Sequence, residues 1–164
     1  MEWMDEPNRE EFEHAGYKCL ILRHPELLHL CGYIAVPSGH PCYGKDTSHL
    51  PYRDLLEIDV HGGVTWAAEG DGDHRPAGLW WLGFDCGHFM DSVPYIEALA
   101  TWLSEMSLGG SYRNFQYVRQ QTMSLADQVA KLEFIDWQFA WVWPLFLPLK
   151  TALWIWRKKR GKGE

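Results

Sequence analysis

The sequence predicts a small α+β domain: a mainly antiparallel sheet covered by one or two helices, followed by a C-terminal hydrophobic tail. Two short apolar segments, at 17–23 and 30–36, are bounded by proline-containing breaks and have the length of buried strands. A third, at 78–84, is apolar almost throughout. Over 114–132, apolar side chains instead recur at helical spacing. Strands and helices in separate runs predict an α+β fold.

Each strand is predicted from its own pattern. Tyr17–Arg23 and Leu30–Val36 are close in sequence, so we expect them to pair. The segment GLWWLGF at 78–84 predicts a central strand because both of its faces are apolar. Segments 57–60 and 64–67 flank His61-Gly62-Gly63, which predicts a hairpin or tight bend about the glycines.

The other elements are predicted by breakers and periodicity. Residues 38–53 are rich in Gly, Pro, His and Asp and predict a long loop, and 69–76 predicts a charged surface turn. Residues 95–105 have helical character, which Gly109-Gly110 ends. A second helix, over 114–132, is predicted to cover the sheet with one apolar stripe. The stripe consists of Val118, Thr122, Leu125, Val129 and Leu132.

Length and charge divide the chain into three parts. At 164 residues it fits one domain, which we place at 16–136, after an acidic arm at 1–15 and before a Trp-rich tail at 137–164. Residues 1–149 carry nine Lys and Arg against 21 Asp and Glu, a net charge of -12, while residues 150–164 carry six against one, or +5. The acidic body would repel phosphate backbones, so no nucleic-acid partner is expected.

The four cysteines predict a reducing compartment. They form no CxxC pair, and no signal peptide precedes them. We therefore expect free thiols in a cytoplasmic protein.

The tail has the composition of a membrane-associated segment. Of the nineteen residues 138–156 only Gln138, Lys150 and Thr151 are polar, tryptophans lie near both ends, and the basic run RKKR follows at 157–160. Prolines 144 and 148 and the orientation of the basic end favour an interfacial or re-entrant segment over a true span. We expect 137–160 to contact the inner face of a membrane. The alternative is a helix that packs on the core or on a partner.

A polar cluster at the end of the third apolar segment is the strongest candidate for chemistry. If the strand continues, Cys86 and His88 point to one side and Asp85 to the other. With His61 from the bend and Asp91 from the next turn, they offer N, S and O donors for zinc or another divalent transition metal.

The same residues permit two other interpretations. Cys86 is a candidate nucleophile with His88 or His61 as its base, because an imidazole lowers the pKa of a thiol. Alternatively, Cys86 fills the core, the two histidines bond to backbone groups and Asp85 caps a turn. The sequence leaves these possibilities open, and the predicted catalytic residues are His61, Asp85, Cys86 and His88.

Two basic stretches are candidate ligand-binding segments. They contribute Arg23 and His24 from the first stretch, and His40, Tyr43 and Lys45 from the second, and either stretch could reach an anionic group. Neither has a nucleotide-binding fingerprint.

Four segments resemble one family of proteins. GYKCLILRHPELLHLCGYIAVPSGHPCYGK, VHGGVTW, WWLGFDCGHFMD and YRNFQYVRQQTMSLADQ occur in this order across about 16–132. They look like an uncharacterised family of small phage and prophage proteins with the patterns GHLCGYV, HGGLT, GFDCAH-x-GD and YR-x-x-x-YV. The chain departs from the patterns at Leu28 and Met90, where they have Gly, at Val64 for Leu, and at Gly87 for Ala.

The resemblance implies a shared site and a setting, but no reaction. It points to the five residues of the polar cluster, and in a phage setting many small acidic proteins bind and block a host or defence component. We therefore expect a non-catalytic binding or inhibitory protein, held near a membrane by its tail. The alternative is a small hydrolase that uses a metal or a thiolate at His61, Cys86, His88 and Asp91.

Overall fold

The computed structural model describes residues 2–48, 58–104 and 109–132, and within them the predicted α+β class is confirmed. A single 3-10 turn, Glu2–Asp5, precedes a five-stranded antiparallel sheet in the order β1-β2-β3-β5-β4. The strands are β1 (Arg9–His14), β2 (Tyr17–Arg23), β3 (Leu30–Val36), β4 (Trp66–Glu69) and β5 (Trp80–Asp85). The helices are α1 (Pro94–Ser104) and α2, whose described part covers 115–132.

The strands β2 and β3 form where the apolar segments predict them. They pair antiparallel from Lys18 opposite Ala35 to Arg23 opposite Leu30. The connection is closed by backbone bonds of 2.8 Å from His24 N to His29 O and 3.0 Å from Leu28 N to His24 O. Every residue of β3 is buried, because this strand lies in the middle of the sheet between two covered faces.

The acidic arm predicted at 1–15 contributes a strand to the sheet, so the fold includes residues before 16. Its residues Arg9–His14 form edge strand β1, in which exposed and half-buried positions alternate. Half-buried Phe12 packs against the core, and the guanidinium of Arg119 lies 4.5 Å from its ring centroid. Charged side chains protect an edge strand from pairing with other chains. This strand is therefore acidic and lacks the apolar pattern by which buried strands are predicted.

Of the predicted hairpin or tight bend about His61-Gly62-Gly63, the tight bend is present and the hairpin is not. Residues 58–60 form no strand, and residue 57 lies outside the described residues. Asp59 instead exchanges two hydrogen bonds with the Gln128 side chain on α2, through its N–H (2.8 Å) and its carbonyl (2.9 Å). The segment thus follows α2, and β4 begins only at Trp66.

The predicted stripe of α2 faces the sheet and is confirmed. All five of its members are at most 1% exposed and belong to the larger core cluster or, for Thr122, lie beside it. The helix approaches closely at Gly32, where a Cβ atom would lie 2.3 Å from Thr122 Oγ1 and 2.6 Å from the Phe84 ring. A side chain at this position would push α2 away from the sheet.

The second face of the sheet carries a smaller core around Leu20, Tyr33 and Trp81. The β4–β5 loop folds back across it, with Trp81 Nε1 donating to Pro76 O at 3.1 Å. At the far side of the sheet, Arg9 of β1 donates to His74 O at 2.7 Å. The loop therefore spans the second face from one edge of the sheet to the other.

The hydrophobic tail at 137–164 lies outside the described residues. Within the part of the chain that is described, neither helix has the length and apolar character needed to cross a membrane.

Candidate functional site

The bend at 60–63 and the polar exit of β5 do meet. Gly63 N donates to Val60 O at 2.9 Å, and this turn carries His61 toward His88, with 5.5 Å between the two ring centroids. Backbone torsion makes the turn possible, since Gly62 and Gly63 both have positive φ angles, of 66° and 79°. The two predicted histidines therefore share one small region.

Asp91 is the centre of this region. Its Oδ2 atom lies 2.7 Å from His61 Nε2 and accepts the backbone N–H of His88 at 3.0 Å, while its Oδ1 accepts Arg113 Nε at 2.8 Å. The side chain is 1% exposed. Burial alone would raise the pKa of Asp91, but the hydrogen bonds from Arg113, His61 and His88 outweigh it and lower this pKa below its ordinary value.

His61 is bonded on both sides of its ring. Its Nδ1 lies 3.1 Å from the hydroxyl of Tyr117, and its backbone N–H donates to Gln121 Oε1 at 2.9 Å. Arg113, already paired with Asp91, lies 5.2 Å from the Tyr117 ring centroid. We call His61, Asp91, Arg113 and Tyr117 the clasp, because these side chains tie two loops to the start of α2.

Cys86 does not take part in the clasp. Strand β5 ends at Asp85, and the Cys86 side chain packs in the α2 core with 2% exposure. Burial raises the pKa of this thiol, and the nearby carboxylates of Asp91 and Asp85 raise it further. This burial and the raised pKa favour the neutral thiol over the thiolate nucleophile predicted at Cys86.

The four predicted metal ligands do not form a common set. His61 and Asp91 are directed at each other, and Cys86 faces the core. Across residues 2–48, 58–104 and 109–132, no group of three or more His, Cys, Asp or Glu side chains is placed to hold a metal ion.

Asp85 faces the second side of the sheet, as the alternation of β5 predicts. Its carboxylate accepts Gly87 N at 3.0 Å on Oδ1 and Thr65 Oγ1 at 2.9 Å on Oδ2. His88 Nε2 lies 3.9 Å from Oδ1, beyond hydrogen-bond distance. A carboxylate has about four lone-pair sites, so Asp85 keeps capacity for a further donor.

Asp85 lines a cleft of about 570 Å³ between the β2–β3 turn and the β4–β5 loop. The turn contributes His24 and His29, and the loop contributes His74 and Arg75. Cys31, Tyr33, Thr65 and Trp66 line it from the sheet. The Arg75 guanidinium lies over Trp66, 4.2 Å from the ring centroid, so aromatic surface and polar groups are both present.

Two residues that line the cleft have a buried nitrogen without a hydrogen-bond partner in the described part of the chain, Nδ1 of His29 and Nε of Arg75. His29 is 6% exposed and stacks on His24 with 4.9 Å between the centroids. Burial, and then His24, lower the pKa of His29, which favours the neutral ring. Sequence reasoning missed both residues, although a histidine at the border of a buried strand was a usable signal.

The predicted ligand-binding residues do not gather at one site. Arg23 and His24 line the cleft, but the Arg23 guanidinium is already bonded to Glu6 at 3.0 Å, to Asn8 at 2.9 Å and to Leu28 O at 2.9 Å. These bonds tie the N-terminal segment to the β2–β3 turn.

The second predicted stretch lies elsewhere. His40 is buried and accepts the Cys42 N–H at 3.0 Å, which closes a turn. Tyr43 and Lys45 lie beside Trp80, whose Nε1 donates to the Lys45 carbonyl at 3.2 Å. These three residues support the 37–45 turns and are separate from the cleft.

Comparison with known proteins finds no match for this chain among protein-family models, curated proteins or solved structures.

Proposed function

We propose that this chain is a non-catalytic binding protein whose cleft takes a short segment of a partner protein. The cleft itself supports the proposal most directly, with a half-exposed carboxylate at Asp85 and buried nitrogens of His29 and Arg75 that have no hydrogen-bond partner among the described residues. An unpaired buried polar group costs about 1–3 kcal/mol. A peptide supplies carbonyl oxygens for a donor such as Arg75 Nε, and both carbonyl oxygens and N–H groups for His29 Nδ1, whose role depends on the tautomer.

Charge favours a basic partner. The net charge of -12 over residues 1–149 attracts positively charged surfaces and speeds their encounter. Within the cleft, the Arg75 charge is already paired with Asp71 at 2.7 Å, whereas Asp85 has no cationic partner within 3.5 Å among the described residues. We propose that an arginine or lysine of the partner reaches Asp85.

The polar cluster gives less support to the hydrolase alternative. A nucleophile or base needs a lone pair that is open to substrate. In the clasp, His61 and Asp91 bond to each other, and the Cys86 thiol is buried, with its pKa raised by burial. The clasp holds loops together, whereas the cleft offers open volume.

The resemblance to phage and prophage proteins supplies a setting for the proposal. A small acidic protein in that setting would bind and inhibit a host or defence protein. The tail at 137–160, with its apolar run and basic end, would hold the domain peripherally or by a re-entrant segment at the inner face of a membrane, in the cytoplasm.

An NMR titration with two short capped peptides tests the proposal, one centred on Arg and the other, of the same length, on Glu. We expect the Arg peptide to shift the amide signals of Thr65, Asp85 and Gly87, which surround the cleft carboxylate. Asp85→Asn keeps one acceptor oxygen for Gly87 N, and its NH2 group can donate to the Thr65 hydroxyl in place of accepting from it. It should weaken binding of the Arg peptide about tenfold.

Asp59→Asn is the matched control, because Asp59 is an exposed carboxylate that does not line the cleft. It should leave the affinity unchanged. Equal shifts with both peptides, or no shift in the cleft with either, would contradict the proposal.

A further inference from the structure

Helix α1 presents an apolar stripe to solvent. Among the described residues, seven of the nine large hydrophobic side chains that are exposed lie within 89–103. Five of them are on α1, and Trp102 and Leu103 are the most exposed of these, at 79% and 67%. The full set on the helix is Tyr95, Ile96, Leu99, Trp102 and Leu103.

These five side chains form one face. At about 100° per residue they fall within an arc of about 120°. Ala98, Ala100 and the half-buried Glu97 occupy the remaining arc, with Thr101. A surface helix usually turns its large apolar side chains inward, whereas here they face solvent.

Two exposed apolar side chains also precede α1 in the sequence. Phe89 is 95% exposed, and Met90, also exposed, has a φ angle of 75°. Non-glycine residues adopt such an angle at a cost of about 1–2 kcal/mol. Two large apolar side chains thus face water within five residues of the start of α1.

We infer that the α1 stripe lies on a lipid surface. The stripe carries no charge, and its Trp, Tyr and Leu side chains are those that occupy a membrane–water interface. The composition of the tail favours lipid as the surface that the stripe contacts. Only three of the nineteen residues 138–156 are polar, and the basic run RKKR follows them. One weak apolar anchor binds a membrane reversibly, and stable attachment takes two.

The two contacts would have complementary roles. The basic tail end is attracted to anionic lipid, while the acidic body is repelled by it. An uncharged apolar stripe on the body allows the domain to touch the bilayer in spite of this repulsion. The stripe would thus be a second membrane contact, on the folded domain, besides the contact proposed for the tail. It does not depend on the cleft.

Vesicle flotation with the full chain tests the stripe. One set of vesicles is phosphatidylcholine alone, a neutral surface on which a charge added to the protein has little electrostatic effect. The other set contains phosphatidylcholine with anionic phosphatidylglycerol. We expect Leu103→Glu to lower the partition coefficient about tenfold on both, because an apolar side chain leaves the interface and a charge enters it. Thr101→Glu places the same charge on the opposite arc and should leave binding to phosphatidylcholine unchanged.

Trp102→Ser is a second variant that should stay folded, because removal of the exposed Trp102 ring leaves no cavity. It should weaken partition in the same direction while circular dichroism stays unchanged. If wild type and Leu103→Glu float equally, the stripe inference is overturned and the tail proposal survives. Absence of flotation for every variant overturns both.

One further outcome assigns the stripe to another occupant. If light scattering shows a dimer that Leu103→Glu dissociates, with lipid partition unchanged, the stripe joins two copies and the lipid inference is wrong. Binding of the Arg peptide to the cleft should be the same in all of these variants, so the two proposals fail independently.

Discussion

Gly62 lies against the ring of His88 so closely that a Cβ atom at Gly62 would be 1.9 Å from His88 Nε2. Gly62 also has a φ angle of 66°, so two separate constraints act at this residue. The neighbouring Gly63 shares only the second of them, with a φ angle of 79° and open space around its missing Cβ.

Gly62→Ala should therefore lower the free energy of unfolding by about 3 kcal/mol, through steric overlap and backbone strain together. Gly63→Ala, the control, should cost about 1 kcal/mol because only strain applies. Urea denaturation measures both. Equal losses would show that His88 moves aside freely and that the two histidines are not held together.

Met90→Gly should raise stability by about 1 kcal/mol, because glycine adopts a φ angle of 75° without strain and the methionine side chain is exposed. This position is one of the two at which the phage-type pattern has Gly. Phe89→Gly, where φ is not positive, should lower stability by about 0.5–1 kcal/mol. A stability loss in Met90→Gly would mean that the Met90 side chain makes a contact whose stabilisation of the fold exceeds the destabilisation by backbone strain.

The clasp should produce an acid-dependent loss of stability. The folded pKa of Asp91 is lower than its ordinary value of 3.8, so its ionised form stabilises the fold above that pH, and this contribution disappears as pH falls through the lowered pKa. Asp91→Asn should cost about 2–3 kcal/mol at neutral pH. Below about pH 4, the free energy of unfolding of this variant should also depend less on pH than that of wild type.

Asp73→Asn is a suitable control for this pH dependence, since the Asp73 side chain is 87% exposed. Below about pH 4, the free energy of unfolding of Asp73→Asn should fall with pH as that of wild type does. An unchanged pH dependence in Asp91→Asn would show that the bonds to Arg113 and His61 do not stabilise ionised Asp91.

The four cysteines should be unreactive in the folded chain. Burial raises the pKa of Cys19 and of Cys42 to about 11, and raises the pKa of Cys31 to about 12. Labelling with a thiol-specific disulfide reagent at neutral pH should be at least about a hundredfold slower than in denaturant, where all four react. Rapid reaction of one cysteine that is lost in Cys86→Ala would restore the thiolate hypothesis.

The local pattern of the sequence determined much of the fold. Strands β2 and β3 follow from short apolar runs between breakers, and the α2 stripe from spacings of three and four, because burial repeats with the period of each element. Strand β1 was missed because an edge strand carries charges where a buried strand carries apolar residues. The hairpin at 57–67 was wrong because Gln128, 69 residues away from Asp59, binds that backbone.

For the candidate site, the sequence identified the residue types but not their partners. It placed His61 near His88 and Asp85 on the face opposite Cys86, since alternation along a strand is a local property. Only the tertiary structure decided that Asp91 binds His61 and Arg113, that Cys86 faces the α2 core, and that His29 and Arg75 line one cleft. Those outcomes depend on distances between segments far apart in the chain, and such distances are fixed by packing, not by any local pattern.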